Sequence, residues 1–448
     1  MLKAISLIQS MTLIFLFSVL LSACGASSTT TVTNNETVET STTVSQPVVE
    51  SSTDPDTGII TQTSTVITTQ TTLGDITATI TVVTTTDITI TITNPMTGET
   101  TVTTNSDSNT ITHASELDRA IETMVDTTIV SSVNNFQTQV QSLDNQTSSF
   151  CANTTQANLT QTQNQWISTH NAWYQLAPFI FGPLEVANVI TVPAFWYLDS
   201  YRNNGNDYTG TVRTNLTSLL ESDGEISEID FSNLNYNQVG LLALEVSLFE
   251  RSTDQSQTLE DITNEFINAS RKCELLMAYS QELLRQTTLI QLGWNDNYHD
   301  TGKSYRELLL SNQLEAALDN ESGDSAISKI TVAMQEFYDY LNKRNVTTDV
   351  AQLSNATKQA LLASASITES LLNTSSESSL SIYTLMAKND HEQDATTIST
   401  NIQTFVTAIN TGTDEEIKSA AAALDGNFKR ELPDALNVSL GLNFTDGD

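Results

Sequence analysis

Glu245 is the one charge in the run Leu241-Leu242-Ala243-Leu244-Glu245-Val246-Ser247-Leu248-Phe249. On a helix this run is apolar nearly all round, so the carboxyl group is expected to lie buried between neighbouring elements. An ionised carboxylate there is costly unless paired, or it stays protonated with a raised pKa. Two roles follow: a cleft ligand for a cation or polar group, or a structural partner of Arg271, Arg202 or a backbone group that holds helices in register. Trp166, His170 and Trp173 fall on one helical stripe with Ala177. They read either as an imidazole between the aromatic walls of a cleft or as core, with the histidine satisfied by one hydrogen bond. Trp294, Asp296, Tyr298, His299 and Asp300 form a polar cluster after a long helical pattern, with Trp294 as a third cleft aromatic. His299 with Asp296 or Asp300 has donor types suited to a metal such as zinc or iron, and a solvated turn closing the helix is the alternative.

Other routes to chemistry have no motif. The chain contains no His-Glu-x-x-His, no nucleophile elbow and no glycine-rich phosphate loop. The terminal Asp446-Gly447-Asp448 is a fragment of a calcium loop and reads as a structural ending. With 18 Lys and Arg against 53 Asp and Glu, the formal net charge is −35. Such a field repels phosphate backbones, so nucleic acid is not expected as a partner and cations are better candidates. Most of the acids are read as a solvated surface.

The elements that must position these residues are helices. Leu117, Ile121, Met124, Thr128, Val133, Phe136, Val140 and Leu143 recur at helical spacing, which predicts an amphipathic helix over most of 115 to 145. Similar patterns run across roughly 155 to 177, 236 to 250, 258 to 292, 324 to 344, 350 to 390 and 396 to 424. So much helical chain exceeds one comfortable core and predicts an all-α body of two packed bundles, residues 115–310 and 311–448.

The N-terminus carries Lys3, an apolar run from Met11 to Leu21, then Leu21-Ser22-Ala23-Cys24-Gly25. The run has the length of a signal-peptide core and is short for a membrane span. It looks like a bacterial lipoprotein signal, residues 1–23, with cleavage before Cys24. Cys24 would then carry diacylglycerol and a third acyl chain such as palmitate, a firmer anchor than one chain gives. Gly25, where an Asp would favour inner-membrane retention, points to the outer membrane, with the body facing the periplasm or the cell surface. In that oxidising setting the remaining Cys151 and Cys273 are expected to pair. Closing a loop of about 120 residues contributes roughly 4 to 5 kcal/mol in the chain-entropy account. A thiolate metal site is the alternative.

Residues 24–114 are rich in Thr and Ser and read as a tether that spaces the body from the membrane. Up to about Pro55 no period is visible, and a solvated chain is expected. Beyond it, Gly58 to Thr63, Ile76 to Val82 and Asp87 to Thr93 alternate apolar residues with Thr, and Asn94 to Glu99 supplies turn residues before Thr100 to Thr103. Short β-hairpins or an extended stalk both fit, because a sheet with no covering layer is marginal in water.

Five landmarks occur in order: Gln165-Trp166 to Trp173, Phe181-Gly182-Pro183, Gly240 to Phe249, Arg271-Lys272-Cys273 leading to Gly293-Trp294, and Leu440 to Asp448. Together they resemble the imelysin-like proteins (M75-type, insulin-cleaving metallopeptidase-like) over about 115 to 448. The resemblance implies an all-α fold of two helical bundles with a cleft between them, in envelope proteins that are often lipidated and associated with iron uptake. Some members are described as metallopeptidases and others are without demonstrated protease activity.

The family's Gly-x-His-x-x-Glu motif falls on Gly240 to Glu245, with Leu242 at the histidine position. Residues three apart share a helix face, so His and Glu would reach one metal together, but leucine has no lone pair to offer. A zinc peptidase normally holds its metal through about three protein ligands and an open water position. No catalytic residue is therefore assigned. The expectation is a non-catalytic binder of a metal, iron-related, or of another ligand, with a divergent metallopeptidase and an envelope scaffold or adhesin as alternatives.

Overall fold

The computed structural model describes residues 25–33, 36–53, 59–73, 80–93, 97, 99–185, 192–314, 324–377 and 379–438. The signal segment, Cys24, Gly58, residues 76–79, most of the turn at 94–98 and the terminal Leu440 to Asp448 lie outside them. The chain divides into two compact units between Asp118 and Arg119.

In the first unit, alternation of Thr with Val and Ile favours extended backbone, since β-branched side chains suit the pleat. Strands β1 (Gly25–Thr33), β2 (Glu36–Val44), β3 (Val48–Thr53), β4 (Ile60–Leu73), β5 (Ile80–Thr93) and β6 (Thr100–His113) form one antiparallel sheet. Its order is β1-β2-β4-β5-β6, and β3 shares β4 with β2. Val48 to Thr53 pairs with the first half of β4 and Glu39 to Val44 with the second. Ser45 turns the chain between them, its N–H donating to the Ile67 carbonyl at 2.9 Å and its Oγ accepting from the Ile67 N–H at 2.9 Å. The segment before Pro55, expected to be solvated chain, thus forms three strands. Its Thr and Val residues satisfy their backbone in a ladder without needing a buried face.

The second unit is helical. Helix α1 (Glu116–Met124) runs through a π-helical turn (Val125–Val130) into α2 (Ser131–Ala152). The sequence carries this widened turn: the apolar positions 117, 121, 124, 128, 133, 136, 140 and 143 are three or four apart except for the five-residue step from Thr128 to Val133, and all eight are buried. One extra residue in the turn keeps both halves of the stripe facing the core. Next come α3 (Gln156–Leu176), the short α4 (Ala194–Leu198), α5 (Thr209–Glu221), α6 (Gly240–Phe249), α7 (Leu259–Asn268) and α8 (Ser270–Asn295). Cys151 at the end of α2 is bonded to Cys273 at the start of α8, with Cα atoms 5.6 Å apart.

The pattern at 258 to 292 is two helices, broken at Ala269 with φ −129°. No Gly or Pro marks the break. It lets the fully buried Lys272 pair with Glu265 and donate to the Glu250 carbonyl at 3.1 Å, so tertiary contacts override local propensity. After α9 (Tyr305–Leu310), α10 (Ala326–Lys343) and α11 (Val346–Asp349), the pattern at 350 to 390 divides into α12 (Thr357–Asn373) and α13 (Ile382–Lys388). Ser381 caps the second by accepting from the Thr384 N–H at 3.2 Å. The last pattern divides into α14 (Glu392–Thr411) and α15 (Asp414–Lys429) at Gly412, where Thr413 and Glu416 form a capping box, and α16 (Glu431–Leu436) follows. Helices α2, α3, α6 and α8 pack on one another, as do α10, α12, α14 and α15, and α12 lies against α3.

Candidate functional site

Gly240 begins α6 with φ +77°, and a Cβ there would sit 2.3 Å from the Tyr197 carbonyl oxygen and 2.8 Å from that of Leu198. Only glycine allows α6 to start so close to α4. Two residues on, Leu242 is buried. Glu245 is 2% exposed, and its Oε1 accepts from the Ser354 N–H at 3.0 Å and the Ser354 Oγ–H at 2.8 Å. The Leu353 N–H donates to the same carboxyl group. Ser354 sits in a tight turn in which Ala351 and Asn355 have φ of 51° and 54°. Burial pushes the Glu245 carboxyl from 4.5 up to about 7, opposed by these donors.

Neither expected arginine reaches Glu245. The Arg202 guanidinium lies over the Tyr340 ring at 4.0 Å and the Phe337 ring at 5.4 Å. Arg271 donates to the Leu219 carbonyl and Ser222 Oγ at 2.6 and 2.5 Å. Backbone and hydroxyl donors hold Glu245 instead, from a partner 109 residues away that no local pattern marks.

The aromatic stripe of α3 is core. Trp166, Trp173 and Trp294 are at most 1% exposed, so none of the three lines an open cleft. The Trp166 Nε1–H donates to the Leu241 carbonyl at 3.0 Å, tying α3 to α6, and the Trp173 Nε1–H donates to Asp199 Oδ2 at 2.8 Å. Trp294 packs edge-on against Phe181 and Tyr305. His170 stacks on Trp166 with ring centroids 5.0 Å apart, and its Nδ1 has no hydrogen-bond partner among the described residues. Burial lowers its pKa to about 3, so the imidazole is neutral. Asp296, His299 and Asp300 are exposed, and His299 and Asp300 adopt φ of 50° and 56° in the turn after α8. That is the solvated helix-closing turn.

The candidate donors Glu245, His170, His299 and Asp296 do not gather: among the described residues no three His, Cys, Asp or Glu side chains are grouped so as to hold a metal ion. A peptidase zinc does not fit the residues present at the motif, because Leu242 is a buried hydrocarbon and Glu245 is engaged by Ser354. What the site does is weld three segments: the α4 carbonyls, α6 and the 351–355 turn.

The imelysin (peptidase M75) family model matches residues 129–433. Among curated proteins, none matches the sequence. The solved structures that share the fold include the following two. An imelysin-like protein from Psychrobacter arcticum 273-4 aligns with a TM-score of 0.56 at 13% identity, covering 73% of this chain and 98% of that one. A putative iron-regulated protein A precursor from Parabacteroides distasonis ATCC 8503 aligns with a TM-score of 0.50 at 18% identity, covering 72% and 95%. Matched from residue 129 to residue 433, the chain belongs to the imelysin family.

Proposed function

We propose that this chain is a lipid-anchored, non-hydrolytic binding protein of the bacterial envelope with an iron-related ligand. The observation that carries the non-hydrolytic part is the state of the motif: its one carboxylate is committed to Ser354 and its histidine position is leucine. Family membership and the name of the iron-regulated relative support the iron-related part. Anchoring rests on the sequence around Cys24, with the outer membrane as the proposed site and the body facing the periplasm. Among the described residues no helix is long and apolar enough to cross a membrane, which is compatible with a lipid tether.

The test is elemental analysis of the purified mature chain, calorimetric titration with ferrous, ferric and zinc ions, and incubation with a denatured protein substrate with and without chelator. Iron retention without cleavage is the expected result, and Glu245→Gln should retain it because that carboxylate is already engaged. Chelator-sensitive cleavage would make the chain a divergent metallopeptidase. Absence of both metal and cleavage would move it to the scaffold class.

A further inference from the structure

Tyr208 and Tyr236 are 28 residues apart, and neither stands out in the sequence. In the fold their phenol oxygens are 3.1 Å apart. Tyr208 precedes α5, and Tyr236 opens the short turn before α6. One amide serves both, the Asn203 Nδ2 group donating to the Tyr208 oxygen at 2.9 Å and to the Tyr236 oxygen at 2.6 Å. Asn206 Nδ2 adds a longer donation to the Tyr208 oxygen at 3.3 Å. The turn that aims these amides is left-handed at Asn204 and Gly205, with φ of 57° and 67°, and is closed by Asn206 Nδ2 donating to the Asn203 carbonyl at 3.0 Å. The Tyr236 ring is seated against Trp196, with centroids 5.2 Å apart. Both tyrosines are half-buried, so their rings are fixed while the pair stays open to solvent.

Amide N–H groups fill acceptor positions of the two oxygens, and only one phenol proton can lie between them. The Asn203 amide orients the pair of oxygens, as outer hydrogen bonds do around ligating side chains, while the neighbouring phenol and partial burial hold the Tyr236 proton above its usual range, so an arriving cation must itself displace the protons. Phenolate is a hard anionic donor, matched to a hard trivalent cation rather than to zinc or a soft ion. The net charge of −35 raises the local concentration of cations. Two protein oxygens leave most positions of a metal free, which suits a metal that arrives already carrying oxygen ligands.

We propose that Tyr208 and Tyr236 form a two-phenolate site for ferric iron bound as an oxygen-chelated complex. On binding, each phenol releases its proton to solvent, two iron–oxygen bonds form, two oxygens of water or the chelator leave, and the iron stays ferric. This rests on the iron-related reading above and names the residues that serve it.

The probe is ferric citrate added to the mature chain, followed by the visible phenolate-to-iron charge-transfer band, with iron content measured in parallel. The expected result is a band that saturates at one iron per chain, weakens in Tyr208→Phe and in Tyr236→Phe, and vanishes in the double variant. Phenylalanine keeps the rings, and unchanged circular dichroism checks the fold. Asn203→Ala leaves both phenols and should weaken binding about tenfold. Iron retained with no band, or a band that survives in the double variant, would overturn this site while leaving the iron reading intact. No retained iron would overturn both.

Discussion

The sheet and the helical body satisfy the same backbone by opposite means. In β2 to β6 no described side chain is buried, and Val49, Ile92 and Val102 are 58%, 42% and 60% exposed. The sheet is held by its ladder and by paired hydroxyls such as Thr89 with Thr104 at 3.1 Å and Thr93 with Thr100 at 3.3 Å. In the helical body Trp166, Trp173, Trp294 and Tyr174 are almost wholly enclosed, and polar groups such as Glu245, Lys272 and Asp199 enter with partners, whereas His170 Nδ1 enters without one among the described residues. The difference is that the sheet gains regularity without a core, whereas the body gains a core at the cost of buried groups whose charge must be managed.

The contrast is broken most strongly at Trp173. Replacing it by Ala removes a large core side chain and leaves the buried Asp199 without its indole donor, so destabilisation of about 3 to 5 kcal/mol is expected. Urea unfolding followed by tryptophan fluorescence checks this, since the remaining Trp166, Trp196 and Trp294 all belong to the helical unit. A loss under about 1 kcal/mol would mean that this part of the core repacks freely.

A second test sharpens the role of managed charge. The Glu245 carboxyl is raised from 4.5 to about 7 in the fold, so the folded state holds a proton that the unfolded chain has released between those values. Its contribution is fully present below pH 4.5 and is lost as pH rises through 7. Glu245→Gln keeps an acceptor for Ser354 and removes the titration. The variant should match the wild type near pH 4.5 and exceed it by roughly 3 kcal/mol above pH 8. A constant difference across unfolding curves at both pH values would refute the assignment.

The smallest effect is expected in the sheet. Ile92→Thr should change stability by no more than about 0.5 kcal/mol, read as unchanged hydrogen exchange across β4, β5 and β6. A large rise in exchange would mean that this side chain is covered in solution.

Helices with a continuous apolar stripe were legible: 155 to 177 is α3 at 156–176, and even the π turn left its five-residue step. Breaks were legible only where a residue type marks them, as at Gly412, and not at Ala269, where a buried lysine decides. The strands before Pro55 are not legible in the sequence because they lack the strict alternation that a half-buried strand shows. At the motif, the sequence placed Glu245 in an apolar helix but could not supply Ser354. A shorter separation, 28 residues, likewise hides Tyr208 from Tyr236, since contacts that link distant segments leave no local period.

The Cys151–Cys273 bridge has a further consequence. Trp166, His170, Trp173, Asn203, Tyr208, Tyr236 and Glu245 all fall within the closed ring of chain, while Ser354 lies outside it. The phenol pair and the aromatic stripe of α3 therefore share a covalent boundary, and the Glu245 contact with Ser354 reaches across it together with Arg202 over Tyr340 and the Tyr340 hydroxyl donating to the Tyr201 carbonyl at 3.2 Å. A preparation made in a reducing compartment would differ from the disulfide-bonded chain in the topology of that ring, so oxidation state is a variable of the molecule itself.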